Sequence, residues 1–386
     1  MHAAPFFVVL RWLLTFYLCN MITRYSNFKT KEFSCQLPDL EFSINRERAL
    51  VSVKIEKSGE WSELFKENLY PDHTGRVRLQ DLDLLVEPFA DRWLTFDLWV
   101  YVDEQGISSE ASGNEEVTVV ARATWNTTVV SCKANILNMT AEDWCSKRFM
   151  TLIDGAKTTA VGFLEYLYFV GSLPSAPVCK AYFDDDTART VPLSYTSIGD
   201  GYGRIDASPA NFLSSGRKLL SYEIKAGDRI QNYVVDNNVE PEVAPVLLFW
   251  NSFGVQELAY CTGELKQVAS FERKQARIGR LKETYSMEEK ENFKADTGYL
   301  TFPMANWWRE VLRSKDIQVM TVVNGGVEPG SGKPVVITSE KHEISNAADH
   351  LPRITFEYEY ADRNHNVFDL RREGRIFDDT FDYTFN

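Results

Sequence analysis

Alternation of apolar and polar residues at every second position constrains this chain more than any other feature. Leu40, Phe42 and Ile44 alternate with Glu41 and Ser43, and Val51, Val53 and Ile55 with Ser52, Lys54 and Glu56. Successive side chains of an extended strand point to opposite faces, so each run lays one apolar face on a core. The run from Trp93 to Val102 is different. Leu94, Phe96, Leu98, Val100 and Val102 form one face, while the other carries Trp93, Trp99 and Tyr101 beside Thr95 and Asp97. Rings at that density call for a cover, from another element or from a partner chain.

Turn signals separate the runs: Lys57-Ser58-Gly59, Pro71 to Gly75 and Glu104-Gln105-Gly106. Short strands with turns at this spacing predict a mainly β protein, with tandem antiparallel β-sandwich-like domains and a few short helices. Leu79, Leu82, Leu85 and Val86 instead sit at helical spacing, in a segment that Pro88 is expected to stop. A second helix is expected to start at Thr140. A third is expected from Met304 to Ser314, opened by Pro303, with Trp307, Trp308, Val311 and Leu312 as its buried stripe. Val246 to Trp250 and Val255 to Cys261 flank the turn Asn251 to Gly254 and read as a hairpin. The domains expected are 21–154, 155–272 and 273–386. The charged stretch from Arg273 to Lys294 is read as a partly helical connector with a solvated face. The end, Gly374 to Asn386, alternates again. Phe377, Phe381, Tyr383 and Phe385 make it either the last strand of its own sheet or an arm that completes a neighbour's. With Trp93, Trp99 and Tyr101, these four are the candidate interface residues.

The chain has 386 residues and a net charge of −13, so it has no general attraction to nucleic acid or anionic lipid. The apolar run Phe6 to Leu18 is shorter than the ~20 residues of a membrane span. It is broken by Arg11, lacks a preceding Lys or Arg, and has no small-residue cleavage site after it. Translation is therefore expected to begin at Met21, with residues 1–20 an upstream extension; a weak export leader is the alternative. The six cysteines are scattered, with no CxxC pair, and are read as reduced, buried thiols; Cys132 and Cys145 are the pair that export would allow.

Residues with catalytic potential do not assemble into a motif. Asp184-Asp185-Asp186 reads as a solvated turn rather than a calcium loop. Gly199 to Gly203 and Gly325 to Gly332 lack the Lys of a phosphate loop. His2, His73, His342, His350 and His365 form no HxH or HExxH pattern, and no GxSxG occurs. No enzyme, cofactor or metal site is expected. The exception left open is a pair of carboxylates that meet in space, as in glycan cleavage. Asn126-Thr127-Thr128 and Asn138-Met139-Thr140 match a glycosylation pattern that matters only on a secretory route.

Several phrases together carry a resemblance. They are Tyr70-Pro71-Asp72 with Gly75-Arg76-Val77 and the Asp81-Leu82 helix; Leu248 to Gly254 with Glu257 and Thr262-Gly263; Ala295 to Gly298; and Gly374 to Asn386. The set resembles uncharacterised tail or baseplate structural proteins of phages and prophages of gut Bacteroidales. The resemblance implies a virion structural role in a tail ring, distal-tail element or baseplate, assembled in the bacterial host cytoplasm. The partners it implies are further copies of the chain and other tail proteins. The competing expectation is a secreted or cell-surface carbohydrate-binding β-sandwich protein, whose partner is a surface glycan held on exposed rings.

Overall fold

The computed structural model describes residues 22–109, 115–238, 244–341 and 351–362. The chain divides into two compact units, Met1–Trp144 and Cys145–Asn386. Both are mainly β, and the whole is a tandem of β-sandwich-like units with short helices.

In the first unit, β1 (Thr23–Arg24), β3 (Leu40–Ser43) and β6 (Arg76–Leu79) form a three-stranded sheet in the order β1-β3-β6. A five-stranded sheet runs β2-β8-β7-β4-β5, built from β2 (Lys31–Phe33), β4 (Arg48–Lys57), β5 (Glu60–Leu69), β7 (Thr95–Ser109) and β8 (Glu115–Val130). The alternating residues meet between the sheets as expected. Leu40, Phe42, Val51, Val53, Leu98, Val100 and Val102 are all buried in one core. Helix α1 (Leu82–Ala90) adds Leu82 and Val86 to it. Pro88 does not stop this helix, which continues to Ala90. Pro88 lies seven residues into a nine-residue helix, so the one backbone bond it removes belongs to the last turn.

Strand β7 begins at Thr95, and Trp93 lies ahead of it. The Trp93 ring packs on Phe89 (5.5 Å between centroids) and Phe96 (6.0 Å) and against the core. Trp93 therefore does not share the outer face with Trp99 and Tyr101, which corrects the expectation from alternation. The alternation ran on through Leu94 and Trp93, two residues beyond the strand's start at Thr95.

The second unit opens with a sandwich. One sheet is β10-β14-β13, from β10 (Tyr166–Val170), β13 (Tyr195–Gly199) and β14 (Tyr202–Asp206). The other is β12-β11-β15-β16-β9, from β9 (Lys157–Thr159), β11 (Val178–Phe183), β12 (Ala188–Pro192), β15 (Leu219–Ala226) and β16 (Arg229–Val235). Phe169, Ile205, Ala181, Tyr222 and Ile224 fill the space between them. Helix α2 (Ala141–Lys147) starts where expected, with the Asp143 amide donating to Thr140 Oγ1 (3.2 Å).

A seven-stranded sheet completes the unit. Its strands are β17 (Val246–Trp250), β18 (Gln256–Tyr260), β19 (Leu265–Ile278), β20 (Leu281–Asp296), β21 (Ile317–Met320), β24 (Lys333–Lys341) and β25 (Thr355–Tyr360). They run in the order β18-β17-β21-β24-β25-β20-β19. Helix α3 (Phe302–Arg313) packs on this sheet through Trp307, Trp308 and Val311, as its periodicity predicts. Thr301 caps it. A short hairpin, β22 (Val322–Val323) with β23 (Gly326–Val327), occupies the Gly-rich loop.

Two expectations about organisation fail here. The boundary at 272/273 cuts through β19, and the seven-stranded sheet takes strands from both sides of it. The stretch from Arg273 to Lys294 is not a helical connector. It is the far part of a β19–β20 hairpin, paired from Leu265↔Ala295 to Ile278↔Leu281. The two-residue turn Gly279-Arg280 closes it, with Gly279 at φ 64°.

Candidate functional site: an aromatic face, an exposed arm and a buried charge network

Three features stand out from the scaffold, one in the first unit and two in the second. The first is the outer face of the five-stranded sheet. Trp99 and Tyr101, two residues apart on β7, lie 6.1 Å apart with their rings 9° from parallel. Trp61 on β5 reaches across β4 to within 5.8 Å of Trp99 and is 49% exposed. Lys54 on β4 sits 5.8 Å from the Tyr101 ring and 3.6 Å from Glu63. Thr128 donates to Asp97 Oδ1 at 2.7 Å on the same face. Trp61 escaped the alternation reading because β5 is largely exposed. The signal that could have found it is the turn Ser58-Gly59. Both residues have positive φ, which sets the register that puts Trp61 opposite Glu56.

The second feature is the β19–β20 arm. Among the described residues, Phe293 to Asp296 of β20 pair with β25 and no third strand covers the rest of the hairpin. The twelve residues from Leu281 to Asn292 therefore extend about 40 Å as a two-stranded ribbon. From Lys266 to Lys290 every described side chain is exposed except half-buried Ala276. Near the sheet, one face of the hairpin is buried through Phe293 and Ala295. Further out, the same face carries Phe271 (46% exposed) and Met287 (58%). Tyr285, 68% exposed, is the extra residue of a bulge opposite Lys274 and Gln275. The ten residues Arg273 to Lys282 hold five basic side chains and no acidic one.

The third feature is a buried ionic network, which no sequence motif announced. Lys157 on β9 donates to Glu165 Oε2 (2.8 Å) and to the Leu258 carbonyl (2.9 Å). The two side chains are 5% and 2% exposed. The ammonium also lies 4.9 Å from the Trp307 ring centroid. Glu257 on β18 accepts from Trp307 Nε1 (3.0 Å), Thr151 Oγ1 (3.2 Å) and Asn251 Nδ2. Burial pushes the carboxyls of Glu165 and Glu257 up, and Lys157 opposes the rise in both. Here two buried carboxyls, Glu165 and Glu257, lie near enough for each to bear on the other, the arrangement that the sequence left open. The cavity beside Glu257, walled by Lys157, Tyr166, Tyr168 and Tyr233, measures about 10 Å³. That holds about one water and no sugar ring. A larger hollow of about 220 Å³ lies nearby, bordered by Arg148, Asp154, Asp228 and Asn232. Neither Glu165 nor Glu257 lines it.

Glu310 on α3 extends the network. Its Oε1 accepts from the Ser252 amide (3.0 Å), while Oε2 is buried without a partner. Burial first, and Glu257 second, raise its pKa to about 7. A carboxyl raised in the folded state adds stability below its unfolded pKa, and loses that contribution as pH rises through the folded value. Between about pH 5 and about pH 8 the protein should lose roughly 2 kcal/mol from this group. Glu310→Gln should flatten that decline in denaturant melts at the two pH values. An equally steep decline in the variant would place the titration elsewhere.

Other sequence candidates are resolved more simply. Asp184 to Asp186 form an exposed turn, with Asp185 paired to Arg217 at 3.2 Å. Among the described residues no group of acidic, His or Cys side chains is placed to hold a metal. No helix of the described residues is long and apolar enough to cross a membrane. The described cysteines, Cys35, Cys132, Cys145, Cys179 and Cys261, are free thiols. Phe377, Phe381, Tyr383 and Phe385 lie outside the described residues, as do His2, His342, His350 and His365.

No protein-family profile matches the chain, and no curated protein matches it significantly. The solved structures similar to it include two that match at low scores. One is a tetra-tandem repeat from the extending region of a large adhesion protein. It is 11% identical with a TM-score of 0.24, over 72% of this chain and 69% of that one. The other is the Bacillus anthracis TIE protein, 9% identical with a TM-score of 0.14, over 88% of this chain and 55% of that one. At these scores neither carries an argument about function. The fold itself defines the class: a mainly β protein of tandem sandwich-like units.

Proposed function

We propose that this chain is a non-enzymatic structural subunit that works by protein–protein assembly, of the kind that builds a phage tail ring or baseplate. The observation that carries the reading is the β19–β20 arm. A two-stranded ribbon is marginal alone in water, and this one exposes Phe271, Tyr285 and Met287 along its length. Exposed apolar side chains on a projecting element mark a contact surface. The resemblance of the sequence phrases to tail components supports the same reading. Light scattering and negative-stain microscopy of the full chain test it, from low to high micromolar concentration. Particles of several chains, with ring-like closure, are expected. A single-chain mass throughout would overturn the proposal.

A second reading has its own support in Trp61, Trp99 and Tyr101, since a row of rings beside Lys54, Glu63 and Asp97 is suited to stacking and hydrogen bonding with a glycan. Glycan-array binding by a monomer, abolished by Trp61→Ala, would favour that reading over assembly.

A further inference from the structure

We infer that the β19–β20 arm of one copy docks on the acidic surface of a second copy of the same chain, in a head-to-tail contact led by its basic tip. The inference rests on the assembly reading above and names its contact. Arg273, Lys274, Arg277, Arg280 and Lys282 cluster at the tip. They leave the rest of the chain with 37 basic against 55 acidic residues, a balance of −18. The tip thus meets complementary charge on another copy of its own chain, and opposed potentials both steer encounter and set orientation.

The face that carries Phe293 and Ala295 into the core continues outward to Phe271 and Met287, with Tyr285 at the bulge. Gln267 and Glu291 interrupt this face where it leaves the sheet, and beyond them Phe271 and Met287 return it to apolar side chains that have no cover among the described residues, so the arm offers them to a surface outside its own sheet. The arm and the surface it meets are different parts of the chain, so the contact is heterologous. Repeated, it closes into a ring or runs on as a filament. The Arg273 guanidinium lies 5.6 Å from the Phe271 ring, so the first basic group adjoins the apolar row.

The test uses the full chain and two variants, with sedimentation velocity as the readout. One variant replaces Ser270–Lys290 by a two-residue turn, leaving Ala269 and Glu291 as the closing pair of a shortened hairpin. The other combines Arg273→Glu, Arg277→Glu and Arg280→Glu at exposed positions, with circular dichroism to check folding. The native oligomer should weaken at least tenfold in dissociation concentration between ~0.05 M and ~0.5 M salt. Both variants should sediment as single chains under conditions where the native chain is assembled. An oligomer unchanged in either folded variant would overturn the inference while leaving the assembly reading standing. A native chain that stays single under all conditions would overturn both. Tip-dependent binding of a short nucleic-acid duplex by a single chain would also overturn it, assigning the basic tip to nucleic acid.

Discussion

Lys157→Met should destabilise the second unit by about 4 kcal/mol, the cost typical of removing one partner from a buried ion pair. The substitution keeps much of the side-chain volume but removes the ammonium that donates to Glu165 Oε2, in a site where that carboxylate is 2% exposed. It also strips a donor from the Leu258 carbonyl and a cation from the Trp307 ring. The deficit has a predictable pH dependence. Burial already raises the Glu165 carboxyl, and Lys157 is the main force opposing the rise. Without the lysine the carboxyl rises further, so the variant recovers stability as pH falls and Glu165 takes up a proton. Pairing Lys157→Met with Glu165→Gln should restore part of the loss, because Glu165 then carries no buried charge while Glu257, which has also lost the lysine, keeps its donors from Trp307, Thr151 and Asn251. Urea melts of the two variants at neutral and acidic pH check the whole argument. A single variant that costs less than about 1 kcal/mol would show that the network is more hydrated than its burial implies.

Gly162→Ala should cost about 3 kcal/mol, near the upper end for overpacking. A Cβ at Gly162 would sit 1.7 Å from the Gly325 carbonyl oxygen and 2.8 Å from its carbon. Both obstacles are backbone, and they belong to the tight turn of the β22–β23 hairpin, where Asn324 and Gly325 have φ of 50° and 74°. The hairpin is also tied to this position through the Val327 amide, which donates to the Gly162 carbonyl at 3.0 Å. Moving the hairpin would pull Val327 from its contacts with Phe163, Tyr260 and Met320. Gly326→Ala is the control. Its new Cβ would meet nothing nearer than 3.7 Å, and its φ lies outside the left-handed region, so a cost under about 1 kcal/mol is expected. Thermal melts of the two variants should therefore differ clearly, and equal midpoints would refute the close approach.

The parts of this fold that could be read from sequence are those where burial imposes a period. Leu40, Phe42, Val51, Val53, Leu98 and Val100 alternate because one face of each strand is sealed against a core. The Trp307, Trp308 and Val311 stripe of α3 is legible for the same reason. The arm could not be read that way. Neither of its faces is buried beyond Phe293, so nothing in the pattern of charged and polar residues marks it as a strand. The one local sign was Gly279-Arg280 between Ile278 and Leu281, a two-residue hairpin turn in a run otherwise dense in Lys, Arg and Glu. The charge network was hidden for a different reason. Lys157, Glu165 and Glu257 are brought together by three separate segments, and spacing along the chain says nothing about a meeting in space. Of the candidate contact residues, Trp99 and Tyr101 do share the outer face, both half-buried there, while Trp93 lies two residues ahead of the strand and packs on the core.

The strand order of the seven-stranded sheet sets a timetable for synthesis. The chain lays down one flank first, β17 with β18, and then the opposite flank, β19 with β20. β21 then adds to β17, and the strands that close the remaining gap, β24 and β25, come last, with β24 on β21 and β25 on both β24 and β20. Until residues 333–360 have emerged from the ribosome, the two hairpins have no strand to join them. Two inward-facing edges then wait open through the final stretch of translation, and the closing step is a long-range strand insertion of the slow kind. A nascent chain stalled before β24 is thus the species most exposed to mispairing with its neighbours on the same message.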